Sequence, residues 1–499
     1  MKKKAKSIMI QGTMSNVGKS IIAAGLCRVF TQDGYNTAPF KSQNMALNSY
    51  ITNEELEMGR AQVVQAEACG KEPSVYMNPI LLKPVTDMGS QVIVMGKVMG
   101  NMKAVDYFKK KKEYIPLIKS AFDKLSYEND IIVIEGAGSP AEINLKNDDI
   151  VNMGMAEIAN SPVLLVGDID RGGVFAQLTG TVMLLEEKER ERIKGLIVNK
   201  FRGDIKILEP GIKMLEELSG KSVLGVVPYE NLNIDDEDSL AERLYNKAAM
   251  ANVDIAVIRL PKISNFTDFY ALEADENVSV RYVESALEIG EPDMIIIPGT
   301  KNTVSDMKWL RESGIESGIK RLKNTIILGI CGGYQMLGEV IEDSCNAEGG
   351  GSIRGMGLLP VKTYFEPEKT RKQAEGSTNA LKGELEELSN KKIRGYEIHM
   401  GRSVLSENGQ NFNSANGIWG GCYRGKVMGT YIHGIFDEDE FRNALIKLLC
   451  KRKGIDPIEN KEISYKEYKE REYNKLADII RESLDIEKIY SIMGIDREK

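Results

Sequence analysis

The sequence predicts an α/β protein of two domains, each built on a mostly parallel sheet, followed by a C-terminal helical extension. Three observations predict it. Short apolar runs alternate with longer helix-like segments, the rhythm of parallel strands joined by helical crossovers. Several runs are apolar on both faces, as strands covered by helices on each side are. The rhythm breaks at the acidic stretch 235–238 and restarts at 253, which marks a domain boundary.

Taken in order, the runs at 7–11, 37–40, 92–94, 131–134, 163–166, 196–199 and 223–227 are the strands of a first domain, residues 1–235. Residues 236–250 read as a linker. The runs at 253–258, 294–297, 325–330 and 428–432 belong to a second domain, residues 251–442. The remainder, 443–499, is charged and helix-like, with Leu476, Ile479, Ile480 and Leu484 at helical spacing. That stripe predicts an extension packed on a neighbouring element.

The chain has 499 residues, of which 42% are hydrophobic, enough for ordinary cores. Lys and Arg number 66 against 73 Asp and Glu, a net charge of −7. This argues against a general nucleic-acid or anionic-membrane binder and leaves room for a local basic pocket. The longest apolar runs are strand-sized, far below the ~18 residues of a membrane helix. The basic start is followed by only three apolar residues, 8–10, so it reads as a first strand rather than a signal peptide. The six cysteines form no CxxC pair, which fits reduced thiols in the cytoplasm and gives no zinc site. The two histidines are His399 and His433.

Gly12-Thr13-Met14-Ser15-Asn16-Val17-Gly18-Lys19-Ser20 follows a strand and opens a helix-like run. Backbone N–H groups of such a loop point at phosphate oxygens, and the helix N-terminus adds positive charge. Lys19 is expected at the β/γ-phosphates of ATP and the Ser20 hydroxyl on Mg²⁺. Five residues rather than four separate Gly12 from Gly18, so Thr13 takes the place of the usual first glycine. This spacing resembles dethiobiotin synthetase and its relatives. Glu135, at the end of the run 131–134, suits a Mg²⁺ ligand at the carboxyl edge of a parallel sheet. Asn199 ends another run, and the same resemblance puts the adenine base near it.

Gly329-Ile330-Cys331-Gly332-Gly333-Tyr334-Gln335 ends an apolar strand and leads into a helix-like run. It is a nucleophile elbow with sulfur in place of oxygen. The thiolate is the reactive form, favoured by a helix N-terminus and a neighbouring imidazolium, so Cys331 requires a histidine partner. His433, at the end of the run 428–432, suits a general base. Backbone N–H groups at Gly299, after the run 294–297, and at Gly332 are candidates for an oxyanion hole.

The second domain resembles the class I glutamine amidotransferases, in which a cysteine attacks the glutamine amide and a histidine shuttles protons. The family pattern has a glutamate two residues after the histidine. Here that position is Ile435, so the third member is missing or comes from elsewhere, with Glu397 and Asp437 as guesses. The segments Lys41-Ser42-Gln43-Asn44-Met45, Glu135-Gly136-Ala137-Gly138, Asp168-Ile169-Asp170-Arg171-Gly172-Gly173 and Gly395-Tyr396-Glu397-Ile398-His399 span both domains. Through them the whole chain resembles the branch that amidates corrinoid precursors.

The resemblance implies a P-loop NTPase-like sheet and a flavodoxin-like amidotransferase sheet. It also implies amidation of the b, d, e and g carboxylates of adenosylcobyrinic acid a,c-diamide, using ATP and glutamine. The corrinoid is read as substrate, not cofactor. Its carboxylates call for basic residues, and Lys41, Lys83, Arg171 and Arg60 are candidates that could equally be solvated charges. Asp168 and Asp170 either assist Mg²⁺ or support Arg171. His399 reads as structural. Competing readings are the sister enzyme that amidates the a and c carboxylates, a P-loop switch ATPase with a non-catalytic second domain, and an ammonia-dependent ligase with an inactive glutaminase.

Overall fold

The computed structural model describes residues 4–86, 89–234, 251–348, 350–458 and 464–496. The expected linker at 236–250 lies outside the described residues. The chain divides into two compact units. One comprises residues 1–46, 58–234 and 469–499; the other comprises 47–57 and 235–468. No described helix is long and apolar enough to cross a membrane.

The first unit holds a six-stranded parallel sheet. From one edge its order is Val223–Pro228, Ile193–Phe201, Val163–Asp168, Lys6–Gly12, Ile131–Glu135, Thr37–Phe40. All five residues of Ile131–Glu135 and all six of Val163–Asp168 are buried, which accounts for runs apolar on both faces. The first strand lies inside the sheet, so the loop after it opens at the carboxyl edge between two neighbours, where nucleotides bind in such sheets.

One expected parallel strand is placed differently. The run 92–94 lies in Gly89–Val94, which pairs antiparallel with Ile80–Thr86 and with Lys97–Lys103. With Gln43–Met45 these form a separate four-stranded sheet. Met95 and Gly96 both have positive φ, 45° and 74°, the two-residue turn that closes a tight hairpin.

The helices Tyr465–Ser483 and Ile486–Met493 divide the expected extension. Residues 469 onward belong to the first unit, and the helix Asp439–Arg452 belongs to the second. The apolar stripe is the reason. Leu476, Ile480, Leu484, Ile489 and Tyr490 are buried in one core with Ile22, Leu26 and Phe30 of the helix Lys19–Gln32.

The second unit has its own six-stranded sheet, ordered Val278–Val283, Val253–Ile258, Met294–Ile297, Ile326–Ile330, Val427–Thr430, Cys422–Arg424. The first five strands are parallel and the last is antiparallel. Beside it lies a second sheet built on the long antiparallel pair Val361–Thr378 and Lys392–Leu405, which ends on the short strand Ile432–His433.

Candidate active sites

In the first unit the loop after Lys6–Gly12 runs directly into the helix Lys19–Gln32. Gly18 caps the helix Lys19–Gln32 with φ 95°, a left-handed conformation that suits glycine. A Cβ there would also lie 2.2 Å from Asn199 Nδ2. Asn199 donates to Val17 O at 2.7 Å, so its amide braces the loop from beneath. Thr13 N donates to Val166 O at 2.9 Å, which holds the loop's start on the adjacent strand. Lys19 is buried and donates to Met14 O at 3.1 Å and Gly138 O at 3.3 Å, placing its ammonium across the loop.

Glu135 ends the strand next to the loop and is almost fully buried. Its Oε1 accepts from Ser20 Oγ at 2.8 Å and pairs with Lys41 Nζ at 3.0 Å. Its Oε2 accepts from Gln65 Nε2 at 2.6 Å and Gln62 Nε2 at 3.4 Å. Sequence reasoning missed these two glutamines. They stand three apart on the helix Arg60–Ala68, the spacing that puts side chains on one face. Ser20 Oγ and the Glu135 carboxylate are hard oxygen donors in mutual contact, a pair that suits Mg²⁺ completing its shell with phosphate and water. Among the described residues no three His, Cys, Asp or Glu side chains gather for a metal.

The other basic candidates are more dispersed. Arg171 is half-exposed, 3.8 Å from Asp168. Asp168 pairs more closely with Lys200, at 3.0 Å, and also accepts from Asp170 N at 2.9 Å. Asp170 pairs with Arg202 at 3.0 Å. Lys83 is buried on the antiparallel sheet opposite Gln91. Arg60 is buried; against the opposing effect of burial, Lys469 and then Arg60 hold the Glu67 carboxyl well below the usual carboxylate range.

In the second unit the strand Ile326–Ile330 runs into Cys331, which has φ 51° and ψ −107° and caps the helix Gly332–Leu337. A non-glycine residue held there is strained, as nucleophile elbows are. A Cβ on Gly333 would lie 1.9 Å from Ile297 O, so only glycine lets the turn pass the neighbouring strand. The structure brings the expected residues together. A Cβ on Gly332 would be 3.1 Å from Thr300 N, and one on Gly299 would be 2.9 Å from His433 Cε1. Gly332 opens its helix, so its N–H has no intrahelical partner.

The partner that orients His433 is Asp268. Its Oδ2 lies 2.7 Å from His433 Nδ1, and its Oδ1 accepts from Gly434 N at 2.9 Å. Asp268 stands on the 3₁₀ turn Phe266–Phe269, after the strand Val253–Ile258. Neither guessed carboxylate fills this role. Glu397 Oε2 lies 3.3 Å from His399 Nε2 and 3.2 Å from Lys372. Asp437 is on the turn just after His433, and Gly434 N goes to Asp268 instead.

Burial opposes a charge on His433. The Asp268 carboxylate outweighs it, with help from the hydrogen-bonded Cys331 side chain, and raises the imidazole to about 10. The ring is therefore an imidazolium at neutral pH, the neighbour that favours a thiolate. Asp306 buttresses the loop after Met294–Ile297 by accepting from Thr300 Oγ1 at 2.5 Å, and burial pushes its carboxyl up to about 6. His399 Nδ1 lies 2.7 Å from Gly401 O, and the ring stacks on Tyr431 with centroids 3.8 Å apart. These contacts are those of a packed structural histidine.

Two family models match the two halves. A CobQ/CobB/MinD/ParA nucleotide binding domain matches residues 8–240, and a CobB/CobQ-like glutamine amidotransferase domain matches 254–441. The cobyric acid synthase of Lachnoclostridium phytofermentans is 58% identical over 98% of this chain and 99% of its own length. The chain belongs to the cobyric acid synthase family. Cobyric acid synthases of Ruminiclostridium cellulolyticum and a Thermoanaerobacter species are 56% and 54% identical, each over 98% of this chain and 97% and 99% of their own. As a member of the cobyric acid synthase family, the chain is a glutamine-dependent amidating ligase of cobalamin biosynthesis with an ATP-binding domain. The expected pairing of a P-loop-type domain with an amidotransferase domain holds.

Proposed function

We propose that the chain amidates the b, d, e and g carboxylates of adenosylcobyrinic acid a,c-diamide, using four glutamines and four ATP. The observation that supports this reading is that one chain carries the residues suited to both half-reactions. One is Cys331 with His433 and Asp268; the other is the Lys19–Ser20 loop with Glu135.

In the glutaminase half-reaction the Cys331 thiolate attacks the side-chain amide carbon of glutamine. Gly299 and Gly332 N–H groups stabilise the tetrahedral oxyanion. The His433 imidazolium gives its proton to the departing nitrogen, and ammonia leaves. Water then cleaves the thioester with His433 taking its proton, which releases glutamate.

A carboxylate repels nucleophiles and has no good leaving group. Transfer of the ATP γ-phosphoryl group to an acceptor carboxylate oxygen breaks the terminal P–O bond and releases ADP. Ammonia then attacks the acyl carbon and expels phosphate. Gly12, Thr13, Gly18 and Lys19 hold the phosphates, and Asn199 sets the loop beside the base. Mg²⁺ would be held by Ser20 and Glu135, and supplies charge neutralisation at the phosphates. Lys41, Lys83 and Arg171 receive the acceptor carboxylates.

Mass spectrometry of the acceptor after incubation with Mg-ATP and glutamine tests the reading. Each conversion of OH to NH₂ lowers the mass by about 1 Da. Four steps are expected; two steps on cobyrinic acid, with none on its a,c-diamide, would point to the sister reaction. Cys331→Ala is expected to abolish glutamine-supported amidation and to keep the ammonium-supported reaction. Lys19→Ala is expected to abolish both. Equal loss with both nitrogen donors in Cys331→Ala would overturn its assignment.

A further inference from the structure

Residues 47–57 come from the first half of the sequence but belong to the unit that carries Cys331. Within that unit this strap reaches the neighbours of His433. Tyr396 donates its phenol hydrogen to Ser49 O at 2.9 Å. Asn265 Nδ2 lies 2.9 Å from Tyr396 Oη and 3.3 Å from Ser49 O. Tyr50 meets Tyr396 edge-on, with ring centroids 5.1 Å apart, and Ile51 joins Tyr396 and Ile398 in a small buried cluster. The strap is pinned in turn. Glu57 is fully buried and pairs with Lys369 at 2.8 Å, and Gln373 donates to Ile51 O.

The two residues gathered at Ser49 O each serve the histidine from a different side. Tyr396 stands opposite His433 in the strand register and stacks on its ring, with centroids 5.6 Å apart and planes 23° from parallel. Asn265 has φ 53° and opens the turn that carries Asp268, whose N–H donates to Asn265 O at 3.0 Å. An imidazole held at one nitrogen can still swing about that hydrogen bond. A ring stacked on its face removes the swing, and a tyrosine anchored at its hydroxyl cannot slide away.

We propose that Tyr396, anchored by Ser49 of the 47–57 strap and by Asn265, is a positioning residue for glutamine hydrolysis. It holds the His433 ring so that Nε2 faces Cys331 while Nδ1 stays on Asp268. This rests on the reading of Cys331 and His433 as the glutaminase pair. Tyr396 makes no bond to glutamine and exchanges no proton; its effect is on the rate of the step His433 performs.

The test uses the full chain with Tyr396→Phe, which keeps the ring and loses the anchor, and Tyr396→Leu, which loses both. Glutamine-supported and ammonium-supported amidation are measured side by side. Glutamine kcat is expected to fall about 10-fold in Tyr396→Phe and about 100-fold in Tyr396→Leu, the scale of a small misplacement of a reacting group. The KM for glutamine and the ammonium-supported rate are expected to stay within about twofold. The proposal is overturned if glutamine kcat in Tyr396→Phe stays at the parent value, or if both nitrogen donors lose rate together. Because Tyr396→Phe preserves the packed ring, it decides the matter even if Tyr396→Leu does not fold. His433→Asn separates the two readings. If it retains glutamine-supported turnover, the glutaminase assignment itself falls. If it abolishes that turnover while Tyr396→Phe runs at the parent rate, only the positioning role falls.

Discussion

His433 is held toward its cationic form chiefly by Asp268, which with Cys331 overcomes the cost of burying the charge. Replacing Asp268 with Asn removes the charge and leaves burial unopposed by a carboxylate, so the imidazolium loses its proton at lower pH. Asp268→Asn is expected to lower glutamine-supported kcat by about 10²–10⁴-fold and to move the alkaline limb of its pH profile to lower pH. Ammonium-supported amidation serves as the unaffected control. A pH–rate profile that keeps its alkaline limb in place would remove Asp268 from this role. The nucleophile and the histidine are legible in the sequence because their signals are local. Cys331 stands in an elbow of small residues, and only two histidines compete for the partner's place. Asp268 gives no such signal. It lies 165 residues before His433, in a turn with no glycine or proline to mark it, and only the ordering of parallel strands brings that turn to the site. Carboxylates near His433 or His399 in sequence were the natural guesses. Glu397 fails because its carboxylate is turned to His399 and Lys372, both of which contact its Oε2.

Both candidate sites sit on the same kind of element, a buried strand that turns abruptly into a helix at the carboxyl edge of a parallel sheet. Such turns are readable because the constraint is steric and falls on consecutive residues: Gly18 against Asn199, Gly333 against Ile297. Elements whose place depends on distant partners read less well. The run 92–94 has the composition of a parallel strand, yet the Met95–Gly96 turn folds it back on Lys97–Lys103. The C-terminal helix gives its apolar face in the sequence but not its destination. That face meets the helix Lys19–Gln32, where a Cβ on Gly25 would be 2.5 Å from Ile480 Cγ1. Ile480 is fully buried at this close approach. Ile480→Ala is expected to cost about 2–4 kcal/mol and to lower the first unit's calorimetric transition by about 5–10 °C. An unchanged transition would mean that the C-terminal helix adds nothing to that core.

At the scale of the whole chain, two rhythms and a restart near 253 are legible in the sequence. What it does not reveal is that the units are woven from discontinuous pieces. The polypeptide changes unit at residues 46–47, 57–58, 234–235 and 468–469. Composition cannot show this, because 47–57 carries no boundary signal and its membership is decided by Tyr396, Lys369 and Gln373, all more than 300 residues away.

The weaving has a hereditary consequence. A single genetic break between residues 234 and 251 would not yield two self-sufficient modules. The upstream product would carry an orphaned 47–57 and lack 469–499, and the downstream product would lack the segment that fastens Tyr396. Expressed apart, the two pieces are expected to be insoluble or inactive; expressed together, they are expected to recover glutamine-supported amidation by mutual complementation. Full activity from either piece alone would contradict the interleaving. A lineage of such chains can exchange surface loops and tune its pockets, but it must transmit the two interleaved units together.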